Sequence, residues 1–519
     1  MSNNMTDRLK YQEDEDAESA EKLNPTVERT FEDAFEQTGH GRLNHLVLFT
    51  SGLIMLNVSM ESVGMSYAIT AAECELQLTS KDKGLVNAAA FIGIISTSFL
   101  WGYLGDRIGR RAVMLPAILL SAVFSIISSF ATNVWMLLVF RFLTGCLYQH
   151  PVHRYAVPAV SMHANSQASC SHSLELASIS CLAWIIIPGK WSFSFAYMEI
   201  VPWRAFVWSW CAPGLAAAVI LLFLPESPRY LLAAKGPDAA LPVLAMMYAW
   251  NNKGQTMEDF PVSLKNVPIC LLSEEVKVGG FAGAVKNVGL MFKVPLLRCV
   301  FISHISMFAV FMVSSGLYVW VPDILNSILR SNTNKSITIC QIIHDKFVNA
   351  SMHSESAACE SEVSVAVFPI SMSMGAVFAL TYLAIGFLIN KVGKKTLYGG
   401  IMFICGIATI GAAFVPEGIA ATVLLIISLC SGCAASILAA IAVDVFPTQL
   451  RAMAMCVMYM VGRTGAAVGS NFLGATLDLH CHEAFAAFGV FTAGSTILMI
   501  FWPDPRQVRE QLEEKGFTY

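Results

Sequence analysis

Charge is what this sequence has least of. Only 13% of its 519 residues are Asp, Glu, Lys or Arg, while 55% are apolar; a soluble domain carries about a quarter charged residues. That shortage excludes a water-soluble globular chain. No glycine-rich loop leads into a helix beside a Lys-Ser or Lys-Thr pair, so an ATP-driven pump finds no support. No Cys-x-x-Cys pair stands with a matching Cys or His pair, which argues against a zinc site. The fourteen cysteines fall mostly inside apolar runs, among them Cys405, Cys430, Cys433 and Cys456, and read as small buried hydrophobes. Residues 1–42 are polar and acidic (Glu13-Asp14-Glu15-Asp16) and lack the apolar core of a cleavable signal peptide. They read as a disordered cytoplasmic tail. No catalytic constellation is visible, so neither an enzyme nor a cofactor or metal is expected.

What is present is a series of apolar runs reaching the ~20 residues that cross a bilayer. Span 1 covers about 46–69 and contains Glu61; span 2 contains Asn87; span 4 starts near Val134 and carries Arg141 and Gly145. Span 6 runs over about 204–224. Spans 7 to 12 follow at about 298–322, 363–389, 396–414, 419–445, 452–475 and 484–503. The expected organisation is an N-terminal half over 43–224, a lysine-dotted cytoplasmic linker over 225–297, a C-terminal half over 298–503 and a cytoplasmic tail over 504–519. If spans 4 and 5 both exist, the count is twelve and both termini are cytoplasmic.

Between spans 2 and 3 stands Gly102-Tyr103-Leu104-Gly105-Asp106-Arg107-Ile108-Gly109-Arg110-Arg111. So short and basic a turn between membrane helices sits in water, on the cytoplasmic side. A weaker copy, Gly386 to Lys395, joins spans 8 and 9, with Gly386, Asn390, Gly393 and Lys394 in the matching places. This pattern resembles the major facilitator superfamily, and two basic glycine turns in corresponding places fit its internal repeat. The resemblance implies an all-α membrane protein with the twelve-transmembrane-helix major facilitator fold, in two pseudo-symmetric six-helix halves. It further implies a cytoplasmic gate made by Asp106, Arg141 and Glu226 with the loop arginines Arg107, Arg110 and Arg111. The mirrored set is Lys394, Asp444 and Arg451. Asn390 stands where an acid would match Asp106, so the second gate is expected to be the weaker.

Pro225-Glu226-Ser227-Pro228-Arg229 and Asp444-Val445-Phe446-Pro447-Thr448-Gln449-Leu450-Arg451 narrow the likeness. They are similar to the branch holding sugar porters, organic ion transporters and the synaptic vesicle glycoprotein 2 group. Phe31 to Arg42 ahead of span 1, and Gly316 to Asp323 in span 7, resemble the last of these. The resemblance covers nearly everything from about residue 31.

With the amino terminus inside, the loop over 323–362 lies on the lumenal or extracellular side. It carries two glycosylation sequons, at Asn334 and Asn349, and two cysteines, Cys340 and Cys359. An oxidising compartment would allow that pair to form a disulfide; two free thiols are the alternative.

Five residues are candidates for solute or proton binding: Glu61, Asn87, Tyr318, Trp320 and Arg463. An acid at the centre of a membrane helix costs about 2.5–3.5 kcal/mol on insertion scales, which makes function the default reading. Its bland alternative is that Glu61 lies near the outer water interface. Tyr318 and Trp320 could stack on a solute, but they also stand where an interfacial aromatic belt is expected. Arg463 is an intramembrane cation that could bind an anion or pair with a facing acid. His480 and His482 flank Cys481 and read as surface residues.

One stretch breaks the pattern. Residues 149–173 hold four histidines, two prolines and many serines where span 4 and the loop to span 5 belong. Lipid-exposed irregular backbone would leave polar groups unsatisfied, and the apolar pattern resumes only near Leu174. An altered reading frame or splice form, a functional histidine cluster and a divergent water-lined segment compete; good matches on both sides favour the first. The functional expectation is a secondary-active transporter of a small organic solute, an organic ion or sugar-like molecule, with protons as a co-substrate candidate. Its partners are the lipid bilayer and the solute, not nucleic acid, and a monomer is expected in the plasma membrane or a vesicle membrane. The second reading is a carrier-fold protein that does not transport and serves as a trafficking partner or receptor, or an inactive form because of the disrupted span 4.

Overall fold

The computed structural model describes residues 31–148, 164–195, 198–261, 289, 291–292, 295–331, 337–352 and 363–513. Twelve helical spans follow one another. Spans 1 to 6 are Arg42–Ala72, Ser80–Ile108, Arg110–Ser129, Val134–Tyr148, Ala164–Ile186 and Pro202–Phe223. Spans 7 to 12 are Leu296–Arg330, Val367–Val392, Lys394–Phe414, Gly418–Val443, Thr448–Thr476 and Cys481–Ile500. Among the described residues nine helices are long and apolar enough to cross a membrane, and the apolar parts of spans 4 and 5 are shorter. A small hairpin pairs Phe193–Phe195 with Met198–Ile200 between spans 5 and 6.

Local chemistry sets the span ends. Span 2 starts on a capping box, in which Thr79 Oγ1 accepts from the Asp82 amide and Asp82 Oδ2 accepts from the Thr79 amide at 3.0 Å. Spans 2 and 3 are separated by the single residue Gly109 at φ +114°, and spans 8 and 9 by Gly393 at φ +88°. Only glycine adopts such angles without strain, so the two basic turns share one backbone solution. Spans 1 and 7, the first of each half, also share a feature: each is interrupted by a π-turn, Met60–Gly64 and Met312–Leu317. Such turns free backbone groups and gather at functional sites.

Close helix packing comes from glycines elsewhere than Gly102 and Gly386 of the basic turns. A Cβ at Gly93 would run into the Phe142 carbonyl, and one at Gly145 into that of Ala90, which brings spans 2 and 4 backbone to backbone. Gly102 and Gly386 meet nothing within 4 Å among the described residues.

Packing divides the chain into two units, Met1–Val47 with Pro225–Val278, and Leu48–Leu224 with Gly279–Tyr519. In the first, the helices Phe31–Gln37, Pro228–Lys235 and Pro237–Asn251 are described. Asn251 organises this unit. Its Nδ2 donates to the Thr38 and Gly39 carbonyls at 3.2 and 3.1 Å, and its Oδ1 accepts from the Leu43 amide at 3.1 Å. Arg229 lies over the Phe31 ring, 6.0 Å from its centroid. A helix therefore occupies 31–37, inside the stretch read as a tail. Span 5 likewise starts at Ala164, ten residues before Leu174. Residues 149–163 lie outside the described residues.

Candidate functional site

The second unit buries a charge pair. Glu61, in the π-turn of span 1, is 0% exposed, and Arg141 of span 4 is 1% exposed. Arg141 Nη1 donates to Glu61 Oε2 at 2.8 Å, and its Nη2 donates to the Glu61 carbonyl oxygen. The guanidinium also lies 5.7 Å from the Trp210 ring of span 6, within cation–π range. Trp210 is held in turn: Asn57 Nδ2 donates to its carbonyl at 2.9 Å, and Gly64 leaves room for its indole, 3.0 Å from where a Cβ would stand. The pair changes how both residues read: Glu61 is fully buried inside the protein rather than at a water interface, and Arg141, expected at a cytoplasmic gate, is paired with it. Its two donors are committed to Glu61, because a buried guanidinium needs an opposite charge and hydrogen-bond acceptors at the same depth.

Further polar groups line the same interior. Glu175 of span 5 is buried and accepts from Ser59 Oγ at 2.7 Å. Tyr67 Oη and Ser180 Oγ are 2.9 Å apart. Asn87 is buried, and its Oδ1 has no partner among the described residues. Tyr318 and Trp320 are 5% and 1% exposed, so the lipid-facing belt is set aside for them. Trp320 Nε1 donates to the Ser470 carbonyl of span 11 at 3.2 Å. Arg463 is half-buried in span 11, one turn after Tyr459, whose ring packs edge-on against Phe311 at 6.2 Å. Among the described residues Arg463 makes no ion pair or hydrogen bond, so the facing acid expected for it is not found there.

At the end of the bundle bearing the basic turns, Lys394 Nζ meets Asp444 Oδ2 at 2.6 Å, and Arg451 Nε donates to the Phe446 carbonyl at 3.3 Å. Of the mirrored set, Lys394 and Asp444 are thus paired, while Arg451 is held on a backbone carbonyl. Asn390 is exposed nearby in sequence. In the other copy, Arg111 Nη2 donates to the Leu222 carbonyl at 2.7 Å, and Arg107 lies over the Tyr103 ring at 5.4 Å. Gly105 is buried, and Arg110 is half-buried. The Asp106 side chain lies outside what is described. Glu226, in the other unit, accepts from the Ser227 amide at 2.9 Å.

The opposite end holds a second constellation that the sequence reading missed. Lys83 of span 2 is 3% exposed and reaches Glu73 at 3.0 Å and Asp323 at 3.1 Å. Lys346, on the loop helix Ile339–Met352, reaches the same two acids at 3.3 and 3.4 Å. Nearby, Ser80 Oγ donates to Asp478 Oδ1 at 2.8 Å. Arg204 of span 6 reaches Glu75 at 2.5 Å, and Trp203 Nε1 donates to the same carboxylate at 2.6 Å. Single charges at span ends look like solvated termini in a sequence; only their convergence distinguishes these.

The disulfide expectation is corrected. Cys340 is bonded to Cys481, at the start of span 12, with a Cα–Cα separation of 5.4 Å, while the loop helix packs against the end of span 7 and span 9. Cys359 and Asn334 lie outside the described residues, as does the Asn349 side chain, although Asn349 falls within the loop helix. Cys74 is also disulfide-bonded. His482 stacks on Phe414 at 4.9 Å.

Two family models match. The one described as sugar (and other) transporter covers residues 45–267, and the one for the major facilitator superfamily covers 347–518. Among curated proteins, synaptic vesicle glycoprotein 2C of Mus musculus is 29% identical over 46% of this chain and 34% of its own length. Synaptic vesicle glycoprotein 2B of Homo sapiens is 28% identical over 46% of this chain and 36% of its own. The match spans about a third of the length of these relatives. Among solved structures, the partially occluded inward-open xylose transporter XylE from E. coli has a TM-score of 0.59 at 15% identity, covering 89% of this chain and 100% of that one. A bacterial homolog to the human lysosomal transporter Spinster, inward-facing and unoccupied, has a TM-score of 0.56 at 14% identity, covering 89% and 96%. At such identities the likeness is one of fold. With the twelve spans, the paired basic turns and these matches together, the chain is a multi-pass integral membrane protein with the twelve-helix major facilitator fold, similar to sugar-type transporters in its first half and to the synaptic vesicle glycoprotein 2 group.

Proposed function

We propose that this protein is a secondary-active transporter of a small organic solute, an organic ion or a sugar-like molecule, in the plasma membrane or a vesicle membrane. It works by alternating access and couples to protons through Glu61. The observation that carries this reading is the buried Glu61–Arg141 pair at the π-turn of span 1. A membrane-buried acid with a committed cation has two states, paired and ionised or protonated and released. Protonation of Glu61 cancels its charge and leaves Arg141 held by the Glu61 carbonyl and the Trp210 ring face. The pair thereby links proton occupancy to the packing of spans 1, 4 and 6. Arg463, with no charge partner among the described residues, supplies the anchor for an anionic or hydrogen-bonding group of the solute. The xylose transporter among the fold's neighbours is described as a proton:xylose symporter, which agrees with coupling of this kind.

The test is uptake into cells expressing this chain, screened against organic cations, anions and sugars at two external pH values. A solute taken up by the natural sequence is expected to be lost in Arg463→Ala and to lose its pH dependence in Glu61→Gln, at equal surface level. Uptake unaffected by both changes would overturn the assignment of these residues.

A further inference from the structure

The four charges at the end opposite the basic turns form a closed ring of alternating sign: Glu73, Lys83, Asp323, Lys346 and back to Glu73. Two members come from each half. Glu73 and Lys83 end span 1 and begin span 2; Asp323 lies in span 7, and Lys346 lies in the loop after it. Each lysine therefore holds the acid of its own half and the acid of the other. Beneath the ring the halves are in contact. Ser470 Oγ of span 11 donates to the Gly84 carbonyl of span 2 at 3.3 Å, and a Cβ on Gly84 would stand 3.2 Å from the Gly474 Cα. Ser80 and Asp478 add a further bond across the same seam.

Three of the ring's members sit on or beside membrane spans. The fourth does not: Lys346 is carried by a helix that lies between spans 7 and 8, and that helix is bonded through Cys340 to Cys481 at the head of span 12. We propose that the helix Ile339–Met352 is a strap across the seam. The disulfide anchors it to the C-terminal half, and Lys346 latches it to Glu73 of the N-terminal half. Its position makes Lys346 and the Cys340–Cys481 bond positioning elements of the gate opposite the basic turns. Cutting either end loosens the closed seam and shifts the protein toward the state open on that side. This inference rests on the alternating-access reading, but its test needs no solute.

Ser470→Cys is a near-isosteric reporter at a position that is fully buried in the closed seam. The full chain carrying it, purified into lipid nanodiscs, is reacted with a polar maleimide, and labelling at position 470 is read by peptide mass. Labelling is expected to rise several-fold on adding Lys346→Gln, and to stay at the starting level with Lys346→Arg, which keeps the charge. It is also expected to rise when the folded protein is treated with a polar phosphine reductant, a treatment that acts after folding and so separates loosening from misfolding. A Cys340→Ser, Cys481→Ser background is expected to be labelled already and to respond no further to reductant. Unchanged labelling in Lys346→Gln and after reduction overturns the strap. Responsive labelling with no uptake of any solute leaves the strap standing and overturns the transport reading; live uptake with unresponsive labelling does the reverse.

Discussion

Lys83 Nζ lies 3.1 Å from Asp323 Oδ1, a contact between span 2 and span 7 that ties the first half of the chain to the second. Lys83 is almost wholly buried, so the bond differs from a surface ion pair, for which the median worth is about 0–1 kcal/mol. Its loss leaves Glu73 and Asp323 sharing only the more exposed Lys346.

Lys83→Met is therefore expected to destabilise the folded protein by about 3–5 kcal/mol, the usual cost of stripping one partner from a buried ion pair. Lys83→Met with Asp323→Asn removes a charge of each sign and is expected to cost less than Lys83→Met alone. Thermal unfolding in nanodiscs measures both. A double variant less stable than the single one would show that the two side chains do not act as a pair.

The same reasoning applies to Glu61 and Arg141, with no solvent access on either side. Glu61→Gln or Arg141→Gln alone is expected to lower stability by about 3–5 kcal/mol, because each leaves the other charge uncompensated. Glu61→Leu with Arg141→Leu is expected to recover part of the stability while abolishing proton-dependent uptake. Additive losses in the double-variant cycle would contradict a direct interaction.

Glycines in the membrane interior divide sharply. Gly145→Ala and Gly93→Ala drive a methyl group into a backbone carbonyl across the span 2–span 4 contact, and overpacking of this kind costs about 1–3 kcal/mol or more. Gly102→Ala, in the basic-turn motif, meets open space and is expected to be neutral or slightly stabilising, since alanine is the better helix former. Detergent-solubilised yield and unfolding temperature decide it; equal losses at all three positions would contradict this packing.

Asp478 gives the seam a pH dependence of known sign. Burial raises its carboxyl above the ordinary 3.8, and Asp323 adds to this, against the Ser80 hydrogen bond and the Lys83 and Lys346 charges, which lower it. Opening the seam exposes the carboxyl and returns it toward its ordinary value. The closed form therefore binds the proton to higher pH, so acidification favours closure through this group and alkalinisation disfavours it. Asp478→Asn is expected to remove that component from the labelling of Ser470→Cys above the ordinary carboxylate range. An identical pH profile in the presence of Asp478→Asn would place the titration elsewhere.

The architecture was legible where one-dimensional physics decides it. Apolar runs mark the spans, and Gly109 and Gly393 mark two turns that only a positive φ can make. The Lys394–Asp444 contact was legible as well, because both residues sit in motifs beside one membrane face. The pairing of Arg141 with Glu61 was not legible, because sequence gives neither the depth nor the rotation of a helix that is apolar all round. Cysteine pairing failed for a related reason: Cys481 lies 141 positions from Cys340, and only the docking of the loop helix brings them together. The charge ring draws one residue from each of four separate segments, so no local pattern marks it.

Proton coupling through Glu61 is the central claim, and it is tested most directly in liposomes containing the purified chain and a trapped pH-sensitive dye. A gradient of the solute found by uptake is expected to change the internal pH with the natural sequence and to leave it unchanged with Glu61→Gln of equal content and fold. Solute flux without any pH change, or an equal pH change with Glu61→Gln, would contradict the account.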